Sequence, residues 1–182
     1  MTTQFIAGSS TEPVPITALR TVIAGALAGI AFNIAGFGTF VLLGSGLDNR
    51  SGPLLDPERQ SAKMIAVWRT IEPLPLFQTQ PGTILAIYVL FGVGYATLYR
   101  SVSAAWPRTF WQRMPRLALT IWFMSCAFFE LLGPVNLLGE PMPLVALELI
   151  FWAIMSTTAA SVLVAVCDRP SRPPVTDPRS RP

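Results

Sequence analysis

Histidine does not occur once in the 182 residues. Its absence removes the commonest ligand of haem iron, the usual zinc and copper sites and the usual proton shuttle near neutral pH. No cofactor is therefore expected, and an electron-transferring haem subunit is set aside. Cysteine is nearly as scarce. Cys126 and Cys167 are expected at different depths of their helices, too far apart for a disulfide, and read as small apolar residues. The sequence contains no glycine-rich nucleotide loop, nucleophile elbow, HExxH or Asp/Asn metal loop, so no metal site is assigned and an enzyme is not expected. Charge is sparse as well, at 13% of residues against the roughly 25% usual in soluble domains. The 13 basic residues outnumber the 10 acidic ones without forming a nucleic-acid motif. A pI near 9.3 then reflects membrane topology and lipid contact, not nucleic-acid binding.

What remains is apolar: hydrophobic residues make up 52% of the chain and the mean hydropathy is +0.51. A helix needs about 20 mainly apolar residues to cross a hydrocarbon core of ~30 Å. Four segments meet that need. No charge falls between Arg20 and Asp48, which predicts a helix over about 18–44, and none falls between Glu72 and Arg100, where Pro81-Gly82 starts a second over about 82–101. A third, about 117–133, reaches spanning length only by taking in Glu130, and a fourth runs over about 144–167 with Glu148 near its start. The expected fold is an all-α integral membrane protein, a four-transmembrane-helix bundle forming one domain over 17–167. A cleaved signal peptide is the competing reading of the first helix, but its uncharged run is far longer than the 7–15 residues of an h-region. The segments 1–16 and 168–182, the latter rich in Pro and Arg, have no means of building a core.

Arginines set the orientation. The short loop before the third helix carries Arg100, Arg108, Arg113 and Arg116 without an acid, and the tail carries four more, which places both termini in the cytoplasm, with a bacterial plasma membrane as the expected location. Trp106, Arg108, Trp111, Arg113 and Arg116 are then candidates for lipid headgroup contact. The longer loop falls outside. Within it, residues about 57–71 read as an amphipathic helix with Asp56 as N-cap, Pro57 in the first turn, and an apolar stripe of Met64, Ile65, Trp68 and Ile71 suited to a lid.

Gly25, Gly29, Asn33 and Gly36 line one face of the first helix, a small-residue seam for close helix packing. Ala153, Thr157, Ala160 and Ser161 suggest a similar face on the fourth, and Gly92 and Ala96 on the second. Trp122, Phe123, Phe128, Phe129, Phe151 and Trp152 make the last two helices bulky, as surfaces facing lipid or a partner would be.

Glu130 and Glu148 lie nine residues either side of Gly139 in ELLGPVNLLGEPMPLVALE. A tight hairpin there brings both carboxylates to one depth, near the outer boundary. Acids in a membrane are costly to bury, so the pair, with Asn136 in the turn, is the candidate proton- or cation-binding site. The plainer expectation is that backbone, Asn136 or a surface-helix cation (Arg59, Lys63, Arg69) pins each acid. Two functions follow: a structural or accessory subunit packed against a larger membrane complex, or a small proton- or cation-coupled transporter or channel using Glu130 and Glu148. Lipid is the expected environment in both.

Overall fold

The computed structural model describes residues 16–48 and 51–169. The N-terminal segment apart from Ile16, and the Pro/Arg-rich tail apart from Asp168 and Arg169, lie outside the described residues. Among those described, every regular element is helical. Four helices are long and apolar enough to cross a membrane: α1 Ala18–Ser45, α3 Pro81–Ala105, α4 Phe110–Leu138 and α5 Met142–Cys167. A short helix, α2 Ala62–Arg69, lies in the loop between α1 and α3.

The third long helix begins earlier than the expected 117 because Arg113, Pro115 and Arg116 are held in its first turns. Pro115, the sixth residue of this helix, has no N–H to return to Trp111 O, and the helix continues through it. Helix α4 ends where Gly139 takes a left-handed φ of 65° and donates its N–H to Val135 O at 3.2 Å. That conformation is strained for any residue with a Cβ, and it turns the chain sharply enough for Pro141 to cap α5 two residues later.

Helix α1 packs against α3 and α5, α5 in turn packs against α4, and Tyr95 of α3 meets Ser125 of α4. The small-residue seam of α1 divides between α3 and α5. A Cβ on Gly25 would lie 2.7 Å from Val93 N and one on Gly29 2.7 Å from Val89 Cα, so these two glycines seat the backbone of α3. Gly92 returns the contact from α3, its would-be Cβ 2.7 Å from Gly29 N. Gly36 instead meets the Met155 side chain on α5. The buried face of α5 is Met155, Ser156, Ala159, Ala160 and Leu163; of the expected set only Ala160 is buried, and Thr157 is exposed. Larger side chains filling the groove around α1 shift this face from the one that small residues alone suggested.

The loop helix α2 is shorter than the 57–71 the sequence suggests and is capped elsewhere. Asp56 starts only a single turn, accepting from Glu58 N and pairing with Arg59, and the helix begins after Ser61, whose Oγ accepts from Met64 N at 3.1 Å. Ser61 Oγ also donates to Leu138 O at 2.7 Å, tying α2 to the end of α4. The break between the two turns frees Gln60 to point inward.

At the opposite end, Arg113 does not face headgroups. Its guanidinium pairs with Asp168 at 2.9 Å, donates to Ser103 O and Pro107 O, and shares Asp168 with the Tyr99 hydroxyl. Arg20 donates to the carbonyls of Cys167 and Arg169, at the negative end of the α5 dipole. Arg108, Arg116 and Trp111 are exposed, and Trp106 is half-buried against Tyr99.

Candidate functional site

Where α4 turns into α5, three glutamates converge. Glu130 comes from α4, Glu140 from the turn and Glu148 from the second turn of α5, and one carboxylate oxygen from each lies within 4.8 Å of the others. Their exposures are 0%, 4% and 8%, so none is a surface carboxylate. Glu130 and Glu148 meet across the turn at Gly139, as their symmetric spacing about it predicts. That spacing does not single out Glu140, because an acid beside a turn glycine is ordinarily solvated. Only a second glutamate so close to Glu130 in an apolar run hinted otherwise.

What buries Glu140 comes from far along the chain. Gln60, 80 residues away, donates from Nε2 to Glu140 Oε1 at 2.5 Å and to Leu54 O at 3.2 Å, while its own Oε1 accepts from Ser61 N. On the inner side, Trp152 donates from Nε1 to Glu130 Oε2 at 2.9 Å. The Glu130 carboxyl is also within hydrogen-bonding reach of both Glu140 and Glu148. No N–H or hydroxyl donor reaches Glu130 Oε1 or Glu140 Oε2. The expected pins are absent among the described residues: Asn136 is exposed in the turn, Arg59 pairs with Asp56, and Arg69 donates to Leu55 O. An amide and an indole hold the acids where cations were expected, so hydrogen bonds are supplied without neutralising charge.

Two unit charges 4.8 Å apart repel by about 3.5 kcal/mol at an effective dielectric of about 20, and three such pairs cannot stay ionised together without compensation. A bound cation is one means of relieving repulsion of this kind. Burial pushes the Glu140 carboxyl up to about 7; the Gln60 hydrogen bond works against that rise and the neighbouring Glu130 adds to it.

Beneath the cluster lies a cavity of about 470 Å³. Glu130 and Glu148 stand in its wall beside Asn33, Phe40, Tyr88 and Trp152, and Met64 and Trp68 of α2 also line it. Asn33 and Gly36, from the small-residue face of α1, both line the cavity. Phe151 and Trp152 likewise turn inward: Phe40 meets Trp152 at 4.8 Å and Phe151 at 5.4 Å between ring centroids. Phe123, Phe128 and Phe129 do face outward. In α1 the backbone loosens over Phe37–Ser45 beside the cavity, and in α4 over Trp122–Ala127 and Leu131–Val135 on both sides of Glu130. Such widened turns displace side chains from the regular helical stripe and are common at functional sites. Pro134 contributes, since it has no N–H to give the preceding turn.

The fold and site together define a four-helix apolar bundle with a buried three-carboxylate cluster beside a half-open cavity. Comparison with protein-family models, with curated proteins and with solved structures found no match.

Proposed function

We propose that this chain is an integral membrane protein that carries protons or other cations through the Glu130/Glu140/Glu148 cluster. The observation that carries this reading is the convergence of three buried carboxylates with no basic partner among the described residues. The order of groups supports it: Glu130 and Glu148 border the cavity, and Glu140 lies beyond them toward the α2 loop. A proton or ion can pass between cavity and loop by short steps between carboxylates.

Membrane insertion is part of the proposal. Each long helix, of 25–29 residues, exceeds the ~30 Å hydrocarbon core at a rise of about 1.5 Å per residue. Leu19, Ile34, Leu90, Phe123 and Ile150 are exposed around all four, more apolar surface than water tolerates. The arginine-rich connection before α4 sits in the cytoplasm of a bacterial cell, and α2 with the carboxylate turn lies outside. Attachment to a larger complex would use the same outward faces. Lipid satisfies those faces equally, so the cluster favours transport over an accessory role.

Reconstitution tests the reading. Purified protein in liposomes loaded with a pH-sensitive dye is expected to dissipate an imposed pH gradient severalfold faster than empty liposomes, and a Glu130→Gln/Glu148→Gln variant to fall back to the empty-liposome rate. Equal rates for wild type and variant would refute it.

A further inference from the structure

The carboxylates of the cluster are not equivalent at their two oxygens. Glu130 Oε2 is held by Trp152 Nε1 and Glu140 Oε1 by Gln60 Nε2, while Glu130 Oε1 and Glu140 Oε2 are buried and receive no donor. In both Glu130 and Glu140 one oxygen is fixed by a neutral N–H, and the other is buried without a partner in a cluster where the three carboxylates come within 4.8 Å of one another. This is how outer hydrogen bonds orient a carboxylate that ligates a metal: one oxygen anchored, the other presented.

The dimensions agree. A hard divalent ion takes oxygen ligands at roughly 2.0–2.6 Å, so ligands around one ion stand up to about 5 Å apart. One oxygen from each of Glu130, Glu140 and Glu148 falls within 4.8 Å of the others. The donor set is all oxygen, since the chain has no histidine and the nearby Cys126 thiol is engaged with Ser156 Oγ. Carboxylate-only sites suit magnesium, calcium and manganese over zinc or copper.

We propose that Glu130, Glu140 and Glu148 together bind one hard divalent cation, with Glu130 Oε1 and Glu140 Oε2 among its ligands. The ion replaces the mutual repulsion of three buried carboxylates with attraction to a common centre, and Gln60 and Trp152 keep their ligands aimed. This inference deepens the cation-carrier reading by naming the cation, and rests on that reading only for the route by which the ion arrives.

Manganese(II) alone is the probe. Full-length protein purified in mild detergent is titrated with Mn²⁺, and the free ion is followed by its electron paramagnetic resonance signal. The wild type is expected to remove one ion per chain. Glu140→Gln and Glu130→Gln are each expected to weaken binding at least tenfold, and Ca²⁺ or Mg²⁺ to compete. Glu58→Gln, on an exposed acid away from the cluster, should bind as the wild type does. Circular dichroism establishes that each variant is folded, and Gln60→Leu, which leaves all three carboxylates in place but frees Glu140 Oε1, should weaken binding by a smaller factor. Absence of stoichiometric Mn²⁺ binding by folded wild type, or equal binding by folded Glu140→Gln and Glu130→Gln, overturns the site. If Mn²⁺ fails to bind while proton flux still depends on Glu130 and Glu148, the metal assignment alone is wrong. If Mn²⁺ binds at the cluster without any flux, the carrier reading alone is wrong.

Discussion

Glu140 is the side chain through which pH should act on this protein most directly. Its ordinary value of 4.5 rises to about 7 on burial, so between those limits the folded chain holds a proton that the unfolded chain has released. Stability from this group is present below about pH 4.5 and declines as pH rises through about 7, by at most about 1.4 kcal/mol per pH unit. The groups facing it are Glu130 from α4, Glu148 from α5 and the uncharged Gln60 from the loop. Glu140→Gln keeps an acceptor for Gln60 and removes the titration. In metal-free buffer containing EDTA, the variant's melting temperature should therefore exceed that of the wild type by a margin that widens from about pH 5 to about pH 8. A margin independent of pH would show that Glu140 does not titrate in this range.

At the scale of elements, two contacts set the architecture: the glycine seam of α1 and α3, and the tether between the loop and the carboxylate turn. The seam is the stiffer, because at Gly29 a Cβ would meet the backbone of Tyr88 and Val89, which cannot rotate away as a side chain can. Gly29→Val should force α1 and α3 apart and lower stability by about 3 kcal/mol, read as an earlier midpoint in denaturant titration. Gly38, around which a Cβ would meet nothing within 4 Å, supplies the control, and Gly38→Val should change the midpoint little. Equal effects at the two positions would mean that the helices do not meet through this seam. The tether is of a different kind. Ser61 holds α2 to Leu138 O and Gln60 holds the loop to Glu140, so displacement of α2 uncovers both the cavity roof and the outermost carboxylate.

For the whole molecule, the proposed orientation in the membrane rests on charge asymmetry. The connection before α4 and the C-terminal segment are arginine-rich, and at that end Arg113, Tyr99 and Asp168 clasp α3, α4 and α5 together. With Cys126 and Cys167 changed to alanine, a cysteine placed at Glu58 should react with a membrane-impermeant maleimide in intact cells, and one at Arg108 should react only after the membrane is opened. The reverse pattern would invert the topology and put the carboxylate turn on the cytoplasmic side.

Four long helices were legible in the sequence because uncharged runs of spanning length have no other economical explanation, and hairpin symmetry about Gly139 was enough to pair Glu130 with Glu148. Phe151 and Trp152 were misplaced for a common reason. Helical spacing tells which residues share a face but not which neighbour that face meets, and loosened turns near the site shift the register. Glu140 and Gln60 were out of reach for another reason: their contact joins segments 80 residues apart, through a break in the loop helix that local propensity does not foresee. The sequence by itself determined the number, length and apolarity of the helices, since these depend on local composition and on the cost of burying charge. Only the tertiary structure decided that a turn glutamate joins the pair, that neutral donors hold it there, and that two oxygens remain open, because those facts depend on where distant side chains meet.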